Sequence, residues 1–374
     1  VLILWIPESI LDASEKMDNP KLTDTQSEIP SHLISAFESF QTNNNNTSPQ
    51  SSKKEKSLTT SLTDYSWFWE QIATYGTVPT SRHCHSCAVY KDKMYLFGGY
   101  SNDVNKCGVH RNDMMIFNFA TREWKSLHPQ GTAPSARHSH TAVVHNGSMF
   151  IYGGIGTGSN TLGSIFKYDF ERNTWEEIVP KGGEKPEERW GHTAIMNEAT
   201  NSMIIFGGYG NQFYNDLFEF RFETQMWHKL PSYGKKPLPR QFHSAVLRDK
   251  KMYVTGGFAV KNNHNELYQY NLETCTWTML CPPPVALRGH TAVHYDKDMI
   301  MFGGFDARQS NDIFVYNYDS DTWHTLEGSE FEHAPQPRHF HSAVIHDKHM
   351  YVFGGFSMKQ NKNDLHRFCF EAAP

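Results

Sequence analysis

The sequence has no apolar run long enough to cross a membrane and no excess of basic charge. No hydrophobic run approaches the roughly 18 residues of a transmembrane helix. The opening VLILWI ends after six residues, at Pro7, and is too short for a secretory signal, although the chain does not begin with Met and an upstream signal stays open. The formal net charge of −5 argues against nucleic-acid binding.

Cysteine is also scarce. Six cysteines in 374 residues are too few for a disulfide scaffold, which favours a cytoplasmic location. Cys84-His85-Ser86-Cys87 contains a CxxC pair, but no second CxxC or HxxxH completes four zinc ligands. Residues i and i+3 of a strand also point to opposite faces. We therefore predict no metal site and no cofactor.

Residues 1–64 differ in composition from the rest of the chain. They are rich in Ser, Thr, Asn, Gln and Lys, and include the run Asn43 to Asn46. Such a segment buries too little apolar surface to offset its ordering entropy, so we predict a mostly disordered N-terminal arm. Within it, His32–Phe40 has apolar residues at helical spacing. This piece is either a docking helix or, the interpretation we favour, residual local order in a linker.

From Trp69 onward, the sequence repeats a set of spaced residues. A double glycine recurs six times, and successive first glycines lie 55, 54, 49, 47 and 51 residues apart. Five units carry an upstream Arg-x-x-His motif, whereas the fifth has the shorter Arg288-Gly289-His290. An aromatic residue and a Trp seven positions later follow the first five double glycines: Phe117/Trp124, Tyr168/Trp175, Phe220/Trp227, Tyr270/Trp277 and Tyr316/Trp323.

Each unit divides into four short β-rich runs, and its length suits one four-stranded blade of a β-propeller. In the sixth unit the aromatic residue is Phe368, and its Trp would fall beyond the end of the sequence. Trp69 precedes Arg82 by thirteen residues, the gap that also separates Trp124 from Arg137. We therefore predict that residues 67–72 form the outermost strand of the sixth blade and close the ring.

The Gly-Gly, Tyr and Trp pattern resembles the kelch repeat, over Trp69 to about Phe370. The resemblance implies an all-β, six-bladed kelch β-propeller over residues 65–374, closed by an N-terminal strand and preceded by the disordered arm. The spacing is most similar to the kelch-first adaptors of the leucine-zipper-like Ras adaptor family, in which BTB regions follow the propeller. This likeness implies an effector region beyond Pro374.

Kelch adaptors contact partners through the loops of one face. By resemblance to the kelch adaptor that recognises an oxidative-stress transcription factor, two sets of positions form the partner site. The first set follows each double glycine: Tyr100, Ile155, Tyr209, Phe258, Phe305 and Phe356. The second set lies between Arg and His: His83, His138, Trp190, Gln241, His339 and Phe340. The aromatic character departs from that adaptor's arginine-rich pocket, so its ligand is not carried over, and packing of these rings between blades stays an alternative.

The loops after the double glycines carry six basic residues and two acidic ones. This bias suggests a protein or peptide partner of acidic character. His83, His138 and His339 fall in neighbouring blades and form either a protonatable sector or a chance cluster. The charged loop residues are Lys106, Arg111, Lys261, Arg308, Lys359 and Lys362, against Asp103 and Asp306.

The sequence therefore predicts a protein-interaction module, without nucleic-acid binding or membrane insertion. The adaptor resemblance implies, as an expectation, a role in selecting substrates for a cullin ubiquitin ligase. A cytoskeletal or signalling scaffold is the first alternative and a kelch-fold enzyme the second. Against the enzyme, the sequence has no P-loop, dinucleotide fingerprint, nucleophile elbow or Glu-x3-Asp-x3-His iron motif.

Overall fold

The structure, a computed structural model, describes residues 65–102 and 108–372. The predicted arm and the loop residues Asp103 and Lys106 lie outside the described residues. The regular elements of the described chain are β-strands joined by turns and loops, apart from two 3₁₀ turns at Thr157–Ser159 and Gly328–Glu330. Within these ranges, no helix has the length and apolar character that crossing a bilayer would need.

Six antiparallel four-stranded sheets form the blades of a propeller. The innermost strands are Ser86–Tyr90, Thr141–His145, Thr193–Asn197, Ser244–Arg248, Thr291–Tyr295 and Ser342–His346. The second strands are Lys93–Asn102, Ser148–Tyr152, Ser202–Phe206, Lys251–Thr255, Asp298–Phe302 and His349–Phe353. The third strands are Gly108–Asn118, Ile165–Asp169, Leu217–Arg221, Leu267–Asn271, Ile313–Asn317 and Leu365–Ala372. The outermost strands of blades 1 to 5 are Glu123–Leu127, Thr174–Ile178, Met226–Lys229, Thr276–Leu280 and Thr322–Leu326.

The N-terminal strand Tyr65–Gln71 completes blade 6. It pairs antiparallel with Leu365–Ala372, and Trp69 lies opposite Phe368. The inner strands of neighbouring blades contact one another around the whole ring, including those of blades 1 and 6. The predicted closure, and with it the predicted all-β six-bladed fold, is confirmed.

Short strands add to the blades. Two-residue strands pair in parallel with the outer edges of blades 1 to 4: Tyr75–Gly76, Gln130–Gly131, Gly182–Gly183 and Tyr233–Gly234. Blades 4, 5 and 6 each carry a small hairpin after the double glycine: Phe258–Ala259 with Asn262–Asn263, Phe305–Asp306 with Arg308–Gln309, and Phe356–Ser357 with Gln360–Asn361. In blade 2, Ile155–Gly156 pairs with Arg137–His138.

The Trp of each blade packs against the aromatic residue seven positions earlier, and in blade 6 Trp69 takes this place. The ring centroids of Trp69 and Phe368 are 5.1 Å apart, and the pairs in blades 1 to 5 are separated by 5.0–5.1 Å. Trp69 also contacts Phe302 of blade 5, with centroids 4.9 Å apart. The ring therefore joins two strands of one blade and fills the interface to the next.

The arginine of the Arg-x-x-His motif is buried and holds two segments of its own blade together. The guanidinium of Arg338 donates to the Gly354 carbonyl at 2.9 Å and to both carboxylate oxygens of Asp364 at 2.8 Å. Arg82 and Arg189 make the same contacts, with Asp113 and Asp216 as partners. A planar guanidinium satisfies a carboxylate in this bidentate way.

The double glycine allows two close approaches, one by the next blade and one by the motif histidine of its own blade. A Cβ on Gly207 would lie 2.9 Å from the carbonyl oxygen of Arg240, and one on Gly208 would lie 2.8 Å from the Cβ of His192. Both glycines also have positive φ, 67° and 96°. Because a side chain would collide and strain the backbone, only glycine fits here.

A closed ring of six backbone hydrogen bonds surrounds the propeller axis. It is formed by the residue just before each motif histidine, and all six have φ between 53° and 63°. Each N–H donates to the carbonyl of the same position in the preceding blade, at 2.7–2.9 Å. We call this the axial ring: Cys84, Ser139, Gly191, Phe242, Gly289 and Phe340.

The motif histidine joins each blade to the preceding one. In five blades its Nε2 lies 2.8–2.9 Å from a hydroxyl at the start of the preceding inner strand, as His140 does with Ser86. Burial lowers the pKa of His140 to about 3 and that of His290 to about 4. These histidines are therefore neutral structural groups at pH 7.

The fifth unit corrects one prediction. It is not one residue short: Leu287 occupies the arginine position, and its carbonyl accepts from Gly257 N–H at 2.8 Å, as Arg240 does from Gly208. Arg288 therefore takes the next position and pairs with Phe305, and Gly289 belongs to the axial ring. The assignment of Arg288 as the motif arginine was wrong because the units were aligned on their arginines. Aligned on their histidines, the fifth unit has its full length, with Leu287 at the arginine position.

Replacing Trp69 tests the closing strand. We expect Trp69→Ala to lower the free energy of unfolding by about 3–5 kcal/mol, because a large buried ring leaves a cavity between two blades. Phe68 on the same strand is 42% exposed, so Phe68→Ala is a matched control with an expected loss near 1 kcal/mol or less. Urea unfolding of the full chain measures both, and equal losses would contradict the closure role of Trp69.

Stability should depend on pH through the buried histidines. Their folded pKa values lie below the unfolded value of about 6.5, so the unfolded chain binds more protons below that pH. The free energy of unfolding should therefore be highest above pH 6.5 and fall as the pH drops towards 4. His290→Asn should reduce this slope by up to about 1.4 kcal/mol per pH unit. Unfolding curves measured from pH 7 to pH 4.5 check this, and an unchanged slope in the variant would contradict it.

Candidate functional site

The predicted partner residues come together on one face of the propeller, around the axial ring. The residue after each double glycine pairs through its backbone with the first residue after the motif arginine. We call these residues, with the axial ring, the mouth. The pairs are His83/Tyr100, His138/Ile155, Trp190/Tyr209, Gln241/Phe258, Arg288/Phe305 and His339/Phe356.

Most of the mouth side chains are half-buried and open to the surface. This holds for all six residues that follow the double glycines and for His83, His138 and Trp190. The side chains of Gln241 and His339 are only 4% and 3% exposed. They therefore pack beneath the mouth and present little surface to a partner. The half-buried rings pack against neighbouring blades on one side and keep part of their surface accessible.

The rings contact one another across blade boundaries. Phe242 and Phe340 of the axial ring lie 4.6 Å apart by their centroids, and Phe340 lies 4.6 Å from His339. On the other side, Tyr100 contacts His138 edge-on at 5.2 Å. The floor of the mouth is thus a continuous aromatic surface assembled from several blades.

Arg288 is a mouth residue that the sequence analysis missed. Its guanidinium carbon lies 4.8 Å from the ring centroids of both Phe258 and Phe305, and Nη1 donates to Asn263 Oδ1 at 3.1 Å. Burial lowers its pKa, but an arginine remains protonated at neutral pH. Aligning the units on the histidine would have put Arg288 at the repeat position that His83 and His339 occupy in their own blades. This alignment would have revealed the cation in the mouth.

The hairpins of blades 4, 5 and 6 form a collar over the mouth. Asn263 Nδ2 donates to the Phe305 carbonyl at 2.8 Å, which joins blade 4 to blade 5. Gln309 Oε1 accepts from Met358 N–H at 3.1 Å, which joins blade 5 to blade 6. Asn361 Oδ1 accepts from His83 Nδ1 at 2.7 Å, which joins blade 6 to blade 1. Three carboxamides therefore fix the loops that surround the site.

The histidines of the mouth do not supply positive charge at neutral pH. Burial lowers the pKa of His83 to about 4 and that of His339 to about 3, and it also lowers that of His138 well below its usual value. The interpretation of these three as a protonatable sector is therefore wrong near pH 7. They act there as neutral hydrogen-bonding and stacking groups.

The cations around the mouth lie at its rim and within it. Lys261 and Arg308 are exposed at the collar, whereas Arg111 is half-buried and donates to Ser101 Oγ at 2.7 Å. Lys106, the remaining basic site residue predicted from the sequence, lies outside the described residues. Arg288, Lys261 and Arg308 thus bring three positive charges to the mouth and the collar at blades 4 and 5, against the carboxylate of Asp306.

The CxxC pair is divided between two environments. Cys84 belongs to the axial ring, whereas Cys87 lies in the inner strand of blade 1 and packs against the core. Burial raises the pKa of the Cys87 thiol to about 12, so it is not a thiolate at neutral pH. In the described part of the chain, no cluster of three or more His, Cys, Asp or Glu residues is placed to hold a metal ion.

Removing one collar carboxamide tests this arrangement. Asn263→Ala should speed hydrogen–deuterium exchange in residues 258–263 and 305–309, because Phe305 and Arg288 lose a hydrogen-bond partner. Exchange in the strands of blades 1 and 2 should stay unchanged and serves as the internal control. Unchanged exchange in both hairpins would show that Asn263 does not hold them.

Two family models match the chain. The Attractin/LZTR1 beta-propeller model matches residues 106–366, and the Kelch motif model matches residues 81–129. The Drosophila melanogaster Leucine-zipper-like transcriptional regulator 1 homolog is 32% identical over 79% of this chain, which corresponds to 32% of that protein. The human Kelch domain-containing protein 3 is 28% identical over 73% of this chain and 77% of that protein. The human Kelch domain-containing protein 10 is 26% identical over 76% of this chain and 68% of that protein.

Proposed function

Because the chain belongs to the Attractin/LZTR1 β-propeller family of kelch-repeat proteins, we propose that it recognises a partner protein or peptide at the mouth. The observation that carries this proposal is the half-buried aromatic floor with Arg288 fixed at its edge. Aromatic residues and arginine are the side chains that most often dominate binding energy at protein interfaces.

The partner segment that fits best is acidic. Arg288 is held between two rings before any partner arrives, so little side-chain entropy is lost when a carboxylate pairs with it. Lys261 and Arg308 at the exposed rim add long-range attraction. The rings beside Arg288 provide apolar contact for the rest of such a segment.

The role of this recognition is proposed to be that of a substrate adaptor for a cullin ubiquitin ligase. The support is the match to a relative named Leucine-zipper-like transcriptional regulator 1 homolog, of which the chain spans about a third. We propose that the propeller is the substrate-binding part of a longer protein acting in the cytoplasm.

Affinity capture with the full chain tests the mouth. Tyr209→Ala/Phe305→Ala and, separately, Arg288→Gln should reduce partner affinity by about 30-fold or more, as expected for central interface residues. Tyr75→Ala/Tyr233→Ala is a matched control, because both tyrosines are 62% exposed and lie on the outermost short strands of blades 1 and 4. Melting curves first establish that each variant is folded.

The captured proteins distinguish the outcomes. A partner retained by the control and lost from both mouth variants supports recognition at the mouth, and cullin components among the captured proteins support the adaptor role. Capture of cytoskeletal or signalling proteins without a cullin would favour the scaffold. A partner bound equally by all variants would contradict the mouth as the binding site. Binding through Arg288 should also weaken with rising salt.

A further inference from the structure

Blade 2 keeps the buried arginine of the repeat but lacks its acidic partner. In the other five blades, the residue four positions before the aromatic residue is a carboxylate: Asp113, Asp216, Glu266, Asp312 and Asp364. In blade 2 this residue is Ser164, although the motif arginine, Arg137, is present and only 1% exposed. Blade 2 therefore holds a buried cation without the ion pair that blades 1, 3, 4 and 6 make.

The guanidinium of Arg137 has neutral partners in the described part of the chain. Its five hydrogen bonds go to the carbonyls of Ser135 and Gly153 and to the hydroxyls of Ser135 and Ser164. Ser164 Oγ lies 3.3 Å from both Nη atoms, whereas in blade 6 a carboxylate oxygen lies 2.8 Å from each Nη atom. Burial lowers the pKa of Arg137 to about 10, so the group is still charged at pH 7. A buried charge that pairs only with neutral oxygens is less stabilised than one paired with a carboxylate.

Solvent reaches the place of the missing carboxylate. In blades 1, 3, 4 and 6 the acidic side chain is 25–35% exposed, although the arginine that it pairs with is fully buried. Ser164 is half-buried, and residues 157–160 of the loop before it are exposed. The repeat thus places an acidic group between a buried arginine and solvent, and in blade 2 the hydroxyl of Ser164 occupies this accessible place.

Blade 4 shows that this place accepts a side chain as long as phosphoserine. Glu266 has one methylene group more than the aspartates of the other blades, and its Oε2 lies 3.3 Å from Arg240 Nη2. Counted in bonds from Cα, the phosphorus of phosphoserine lies as far out as the carboxylate carbon of glutamate. A phosphate on Ser164 would therefore present its oxygens to Arg137 as Glu266 does to Arg240, with a charge of about −1.5 to −2 at pH 7.

We propose that Ser164 is a phosphorylation site whose phosphate pairs with Arg137. A protein kinase supplies the group from ATP. Ser164 Oγ attacks the γ-phosphorus, the Oγ–P bond forms, the bond from that phosphorus to the ADP oxygen breaks, and the hydroxyl proton passes to the catalytic base of the kinase. Arginine and phosphate form charge-assisted, bidentate hydrogen bonds, so the modified blade 2 regains the ion pair that its neighbours have.

The phosphate acts on the loop that carries the blade 2 part of the mouth. Ile155 follows the double glycine, pairs with His138 and bridges to Thr161 of the same loop. The loop ends at Ser164, where the third strand of blade 2 begins. Pairing of a phosphate with Arg137 therefore fixes the end of this loop and adds negative charge on the blade 2 side of the mouth. The proposal does not depend on the partner proposed for the mouth.

Phosphoserine installed at position 164 of the full chain by genetic code expansion tests the pairing. We expect the melting temperature to rise by about 2–4 °C over that of the unmodified chain, because a charge-assisted pair replaces contacts to hydroxyls. Phosphoserine at position 126 is the matched control and should give no such rise, because Ser126 is exposed on the outermost strand of blade 1. Arg137→Met should abolish the rise produced at position 164.

Phosphorus NMR tests the same pairing without the Arg137 variant, should that variant not fold. The second pKa of the phosphate at position 164 should lie at least about one pH unit below that of the phosphate at position 126, because the guanidinium favours the dianion. Equal melting temperatures and equal phosphate pKa values at the two positions would show that the phosphate does not pair with Arg137, and would overturn the proposal.

Mass spectrometry of the protein isolated from its own cells tests whether the site is used. We expect a phosphate on Ser164 that phosphatase treatment removes. A phosphate on the more exposed Ser135 alone, or on neither serine, would overturn the proposal. Inorganic phosphate added to the unmodified chain separates a free anion from a covalent one. It should give no saturable rise in melting temperature, and a rise that Arg137→Met abolishes would contradict Ser164 as the source of the phosphate.

Discussion

The axial ring is the constraint on which the rest of the structure depends. Six N–H groups and six carbonyls, one of each per blade, bond to one another around the axis, and this is possible only because all six residues take a left-handed conformation. Glycine fills two of these positions, but Phe242 and Phe340 fill two others at a cost in backbone strain. Their rings then lie at the centre of the mouth. The strained ring that fixes the geometry of the propeller also places part of its binding surface.

Much of the fold could be predicted from the sequence because the same residue types recur at the same positions of each blade. The closing strand was predictable from a single spacing, Trp69 to Arg82, and the structure pairs Trp69 with Phe368 as expected. The double glycines were recognisable because only glycine fits there, and the Trp because it recurs seven positions after an aromatic residue in five units. Six copies of such positions identify the blade even where individual units vary.

Other features were not predictable, because they depend on contacts between blades. On the face opposite the mouth, the last residue of an inner strand stacks on a ring of the next blade. Tyr90 on Phe170 and His346 on Phe119 are examples, with centroids 4.4 and 3.9 Å apart. No local pattern reveals that these residues meet. The low pKa of His83 was equally hidden, since it results from burial by neighbouring blades.

The sequence predicted which residues lie together at the candidate site better than it predicted their charge. The structure brings the residues after the double glycines together on one face, and their contact with a partner stays a prediction. The fixed cation among them is Arg288, whereas burial keeps His339 neutral at pH 7. A departure from the repeat marks the fixed cation of the mouth: Leu287 takes the arginine position, and Arg288 is shifted into the mouth.

The most direct test of partner recognition at the mouth is hydrogen–deuterium exchange of the full chain with and without its captured partner. The account predicts slower exchange in the collar hairpins, residues 258–263, 305–309 and 356–361, and unchanged exchange in the turns of the opposite face. Protection confined to the opposite face, or to the outer edges of the blades, would contradict it.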